Sequence, residues 1–127
     1  MALGSVLEAN AGNWEQEILK SDLLTVVDFW HDRCPWCLRL NPIFDEASEE
    51  YEGKIKFARL NPLEDQENRE IAFRYGIMST PTLTFFCKGK PVESVVGFMS
   101  KERLKKILDD MLERHEECFK QSTELKA

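Results

Sequence analysis

The chain has 127 residues, 43% of them hydrophobic and 31% charged, with a net charge of −6 at neutral pH. That length suits one domain whose core can stand without metal or disulfide staples, and no apolar run approaches the length of a membrane span. The acidic balance opposes attraction to nucleic acid or to an anionic membrane surface, so neither is an expected partner.

Met1 to Asn10 has no basic residue and only scattered apolar ones, so it lacks the parts of a secretory signal, and a cytoplasmic location is expected. A short helix is predicted from about Asn13 to Lys20, with Asn13 as its cap and Trp14 and Ile18 one turn apart. Ser21 and Asp22 then turn the chain. Leu24 to Trp30 is β-branched, aromatic and almost continuously apolar, the pattern of a strand buried on both faces, with Asp28 the exception inside it. From Pro35 to about Tyr51 the positions Cys37, Leu40, Phe44, Ala47 and Tyr51 mark one face of an amphipathic helix that Gly53 ends. Pro42 inside it removes one backbone hydrogen bond and should kink the axis.

Lys54 to Leu60 alternates as a strand, and Gln66 to Tyr75 reads as a short helix closed by Gly76. Strand, helix, strand and helix in succession argue for parallel pairing. Thr82 to Cys87 and Val92 to Gly97 flank Lys88-Gly89-Lys90-Pro91 as an antiparallel hairpin. Ser100 caps a last helix with a stripe of Leu104, Ile107, Leu108, Met111 and Leu112. No linker or repeat interrupts the chain, so residues 1–127 are read as a single domain with a core from about 14 to 112. The polar tail, about 113–127, keeps His115, Cys118 and Phe119 in phase with the stripe and either extends the helix or frays.

The chemistry is carried by Cys34-Pro35-Trp36-Cys37. The motif follows a buried strand and opens a helix, where a spacing of three brings two sulfurs within bonding distance. Pro35 at the first helical position leaves the next amides and the helix dipole aimed at Cys34, which favours a thiolate. Arg33 and His31 add positive potential that Asp32 partly offsets. Cys34 is therefore the expected nucleophile and Cys37 the resolving thiol. A structural zinc site built on His31, Cys34 and Cys37 with one distant ligand is the weaker alternative, because Cys87, His115 and Cys118 offer no second close ligand pair at a strand end, and no metal is expected. Cys87 and Cys118 are read as ordinary thiols. Met78, Met99 and Met111 read as core filler or surface.

Asp28 inside an apolar strand is either a desolvated acid placed to exchange a proton with Cys37 or an acid at a strand edge reaching water, and its position leaves both open. The Thr80–Pro81 bond is a candidate for the cis form, with a plain turn as the alternative.

Val27-Asp28-Phe29-Trp30, Cys34-x-x-Cys37, Pro42, Tyr75-Gly76-Ile77, Thr80-Pro81-Thr82, Gly89 and Gly97 resemble the thioredoxin family in order and spacing from about Trp14 to Leu112. The resemblance implies an α/β, thioredoxin-like fold: a central mixed β-sheet flanked by helices, the cysteine pair exposed at the start of the second helix, and a cis Pro81 facing it. It also implies that Thr80 and Pro81 bind substrate, and Trp36 and Trp30 are assigned to the same surface. Asp28 matches the acid that handles the proton of the resolving thiol. Arg33, Pro35 and Arg59 are assigned to tuning the site, Arg59 standing where the family has a Lys beside that acid. The chain departs from the family in having Pro35-Trp36 between the cysteines, closer to the Pro-aromatic pattern of glutaredoxins, in Arg33 where Trp is usual, and in a slightly longer stretch from Pro62 to Asn68. These departures bear on redox potential, reductase and substrate range.

The expected function is that of a thiol-disulfide oxidoreductase reducing protein disulfides through Cys34 and Cys37, in cell redox homeostasis and electron transport. The chain is expected to act as a monomer, with a thioredoxin reductase as partner and no cofactor beyond its own redox-active disulfide. The alternatives are glutaredoxin-like, glutathione-linked chemistry, for which no basic cluster beyond Arg33 is present, and a thioredoxin-fold binding or chaperone module.

Overall fold

Apolar residues alternate or run continuously through the strand segments, and such segments become stable only by pairing in a sheet whose faces are covered. The computed structural model describes residues 6–119 and shows that arrangement. In chain order the elements are β1 (Val6–Glu8), β2 (Leu24–Phe29), α1 (Pro35–Glu50), β3 (Ile55–Leu60), α2 (Gln66–Arg74), β4 (Thr82–Cys87), β5 (Lys90–Val96), α3 (Lys101–Arg114) and α4 (Glu116–Phe119). The sheet is mixed and has the order β1-β3-β2-β4-β5. β1 and β2 flank β3 in parallel, while β4 runs antiparallel to both β2 and β5. The α/β fold expected from the sequence is the one observed.

Period-two alternation sends the side chains of the central strands β2, β3 and β4 to two covered faces. Leu24, Val26, Phe57, Leu83 and Phe85 pack against Leu40 and Phe44 of α1 and Leu104 and Leu108 of α3. Val27, Phe29, Leu60 and Phe86 face the other way, toward Trp14, Ile18 and Ile71. There Trp14 lies 5.6 Å from both Tyr75 and Phe86, and Tyr75 lies 5.2 Å from Phe86. This aromatic knot fixes the end of α2, and with it the loop that leads to Pro81.

Several boundaries differ from the sequence reading. β1 was not expected, since three residues carry too little pattern to declare a strand; it is held by its pairing with β3. The predicted helix over Asn13 to Lys20 is one wide turn, Glu15–Leu19, closed by a hydrogen bond from the Lys20 amide to the Glu15 carbonyl at 3.0 Å. Asn13 does not cap it: its side chain accepts from the Asn10 amide and donates to the Glu8 carbonyl, tying the turn to β1. The hairpin is tighter than expected, because Lys88 and Gly89 both take positive φ and form a two-residue turn. β5 accordingly begins at Lys90, and Pro91 sits within it, opposite Phe86 beside a bulge. α1 continues through Pro42.

The packed region is also wider than 14–112, because β1 lies on the sheet and Cys118 is buried. Cys87 and Cys118 are joined by a disulfide with Cα atoms 5.8 Å apart, which corrects their reading as ordinary thiols. The expected tail beyond Phe119 lies outside the described residues.

Candidate active site

β2 delivers the chain to the site. The Trp30 amide donates to the Leu60 carbonyl at 3.1 Å, extending the β2–β3 ladder by one bond before the chain turns. The Arg33 amide donates to His31 Nδ1 and the Cys34 amide to the His31 carbonyl, and this local turn aims Cys34 at the start of α1. Cys34 is the N-cap residue, and Pro35 takes the first helical position, where its missing N–H leaves no orphan donor.

Cys34 and Cys37 are bonded, with Cα atoms 5.2 Å apart. The Cys37 amide points at Cys34 Sγ from 3.2 Å, so a free helix-start donor is directed at that sulfur. The pair is less open than expected: Cys34 is 7% exposed and Cys37 fully buried. Of the two, only Cys34 has an edge to solvent, and this is the asymmetry that separates an attacking from a resolving thiol.

Facing the pair, the Thr80–Pro81 bond is cis. Cys34 Sγ stands 3.6 Å from the Thr80 carbonyl. The loop is held on both sides, by Thr82 Oγ1 donating to the Ser79 carbonyl at 2.7 Å and by the Gly97 amide donating to the Pro81 carbonyl at 2.8 Å. Pro81 is buried and Thr80 half-exposed.

Asp28 is fully buried, and neither carboxylate oxygen has a hydrogen-bond partner among the described residues. Alternation along β2 puts it on the face that α1 covers, the face toward which Cys37 and Leu40 are directed. Burial pushes its carboxyl up to about 7, against the opposing attraction of Arg59 and with a smaller push from Asp45. Arg59 sits opposite Asp28 in the β2–β3 register, but its direct ion pair is with Asp45 on α1, at 2.9 Å. Its guanidinium also lies 5.9 Å from the Trp30 ring and 5.6 Å from Phe44. Desolvation therefore outweighs the nearby cation, and Asp28 titrates close to neutrality.

The surface flanking the pair mixes exposed aromatic and apolar side chains with charged ones. Trp36 is 53% exposed, with Arg39 stacked at 5.1 Å on its ring and Phe98 at 5.4 Å beside it. Sequence reading passes over Phe98, because an aromatic residue after a strand reads as core until the hairpin brings it to α1. On another flank Met78, 93% exposed, and Phe73 line a shallow cleft of about 240 Å³ with His31, Leu63 and Thr80. Trp30 and Arg33 line a larger cleft of about 560 Å³ with Asp32, Asn61 and Leu63. Of the residues singled out from the sequence, Cys34, Cys37, Pro35, Thr80 and Pro81 meet at one end of the sheet. Asp28 and Arg59 lie beneath α1, Trp30 and Arg33 line the larger cleft, and Trp36 stands exposed on the first turn of α1.

The thioredoxin family model matches residues 5–110. A thioredoxin of Chlorobaculum thiosulfatiphilum is 39% identical over 107 residues, covering 84% of this chain and 96% of that protein. Thioredoxin 2 of Chlorobaculum tepidum is 40% identical over 107 residues, covering 84% and 95%. Thioredoxin 1 of a Nostoc species is 37% identical over 110 residues, covering 87% of this chain and all of that protein.

Proposed function

This chain belongs to the thioredoxin family and is a protein-disulfide oxidoreductase, and we propose that it works in the reducing direction, with Cys34 attacking, Cys37 resolving and Asp28 moving the proton between steps. The observation that carries this reading is the Cys34–Cys37 bond at the start of α1, with Cys34 Sγ against the carbonyl that precedes cis Pro81.

In the dithiol form the Cys34 thiolate attacks one sulfur of a substrate disulfide. A mixed disulfide forms, and the substrate's other sulfur leaves as a thiolate that takes a proton. Asp28, half-protonated near neutral pH, takes the proton of Cys37. The Cys37 thiolate then attacks Cys34 Sγ, the substrate departs as a dithiol, and the protein is left with its own disulfide closed. Two electrons pass from protein to substrate, and the cysteine pair is the whole electron store, so the reaction calls for no separate cofactor.

Thr80 and Pro81 hold the substrate backbone beside Cys34, while Trp36 and Trp30 give it apolar footing. Pro35 and Arg33 favour the Cys34 thiolate, and Arg59 limits how far burial raises Asp28. A thioredoxin reductase restores the dithiol, and the chain acts as a cytoplasmic monomer in electron transport and redox homeostasis. No helix among the described residues is long and apolar enough to cross a membrane. The matched family model and relatives are thioredoxins, which does not favour the glutathione-linked or binding-module alternatives.

Insulin reduction tests the reading. With dithiothreitol or a thioredoxin reductase as electron source, the wild-type chain should accelerate insulin precipitation severalfold over the reductant alone, and Cys34→Ser should return the rate to background. A wild-type chain that gives no acceleration contradicts it.

A further inference from the structure

We propose that Cys87, Cys118, His115 and Glu117 form a second, redox-gated site that binds a zinc-class divalent ion when the Cys87–Cys118 disulfide is reduced. The site lies at the far end of β4 from Pro81, a strand of six residues, or roughly 17 Å of extended chain. It is independent of the reaction at Cys34.

Three observations carry the proposal. First, Cys87 Sγ, a ring nitrogen of His115 and a carboxylate oxygen of Glu117 all lie within 4.8 Å of one another. Cys118 Sγ is bonded to Cys87, one of the three, and reduction frees it beside them as a fourth donor. Donors around a tetrahedral zinc ion stand about 3.3 to 3.8 Å apart, given bonds of about 2.0 to 2.3 Å, and the Cys87–Glu117 contact is already 3.8 Å. Second, Nε2 of His115 is buried without a hydrogen-bond partner among the described residues, an arrangement a structural disulfide does not require. Third, His115, Glu117 and Cys118 come from a single turn at the start of α4, while Cys87 comes from the end of β4. Two elements thus converge, as in structural zinc sites. The spacing His115-x-x-Cys118 is a close ligand pair in sequence, but only the fold supplies its partner. Two thiolates, an imidazole and a carboxylate suit zinc and not a hard, oxygen-seeking cation.

The disulfide and the ion exclude each other. An external dithiol breaks the Cys87–Cys118 bond with two electrons and two protons and is itself oxidised to a disulfide. The two thiols then bind the ion as thiolates and release two protons. An external disulfide reverses the step: it takes the two electrons and leaves as a dithiol, the Cys87–Cys118 bond closes, and the ion is expelled. In either state α4 stays cross-linked to the sheet.

The test uses the full chain carrying Cys34→Ser and Cys37→Ser, so that Cys87 and Cys118 are its only cysteines. Reduced with a phosphine and titrated with Co²⁺, it should bind one ion, with a sulfur-to-cobalt charge-transfer band and the visible bands of a tetrahedral site. Zn²⁺ should displace the cobalt, and reoxidation should release the ion. His115→Ala and, independently, Glu117→Ala at the exposed position should each weaken binding by at least about tenfold. If reduction unfolds the chain, recovery of the folded circular dichroism on adding Zn²⁺ supports the site, and no recovery overturns it. A folded, reduced chain without the sulfur–cobalt band, equal binding by the oxidised chain, or affinity unchanged in both variants also overturns it.

Discussion

Asp28 is fully buried and accepts no hydrogen bond from the described residues, and the resulting shift has a sign that can be measured. Its carboxyl ordinarily titrates at 3.8 and in the fold at about 7. The native state therefore binds the proton more tightly, and the stability this contributes is present at low pH and lost as pH rises from about 4 through 7. Asp28→Asn removes the titration. Urea unfolding should find the variant equal to wild type near pH 4 and more stable near pH 8, by roughly 4 kcal/mol at most. A constant difference across that range would show that the carboxylate is not desolvated. At the mouth of the site, Trp36 is exposed and backed by Phe98 and Arg39. Trp36→Ala should raise the KM for a protein disulfide by about tenfold, equivalent to ~1.4 kcal/mol, while leaving kcat/KM for a small aliphatic disulfide nearly unchanged. An equal loss on both substrates would place Trp36 in the chemistry and not in docking.

Among the elements, the β4–β5 hairpin offers the sharpest test of local packing. Gly89 has φ +80°, and a Cβ there would lie 2.7 Å from the Leu19 carbonyl, a backbone atom at the end of the N-terminal turn. Gly53 has φ +85° but open space around it. Gly89→Ala should therefore cost about 2 to 4 kcal/mol, and Gly53→Ala only the conformational part, about 1 to 2 kcal/mol. Equal losses by chemical denaturation would remove the Leu19 contact from the account. The same elements show what a sequence makes legible. β2, β4 and α1 carry long patterns whose burial follows from periodicity, and they were read nearly to the residue. β1 is three residues whose stability comes from its neighbour β3, and Asn13 serves Glu8 and Asn10 instead of a helix end. Those choices are made by partners distant in sequence or by competing local hydrogen bonds, which no propensity records.

For the whole molecule, the separation between legible and illegible follows contact distance. Cys34 and Cys37 share one helical turn, so their bond is implied by the motif, whereas Cys87 and Cys118 are separated by 31 positions and meet only because α3 returns along the sheet. The burial of Asp28 was left open by its position in β2, and it is settled by α1 crossing above it. What the assembled fold does is present one cysteine edge to solvent, beside cis Pro81, and withdraw the other. The most direct measurement is disulfide trapping with the two serine variants, resolved by non-reducing electrophoresis against a protein disulfide substrate. Cys37→Ser should accumulate a mixed disulfide through Cys34, because attack is intact and resolution is lost, while Cys34→Ser should trap little. Equal trapping by both variants, or trapping by Cys34→Ser alone, would contradict the assignment of Cys34 as nucleophile and Cys37 as resolving thiol.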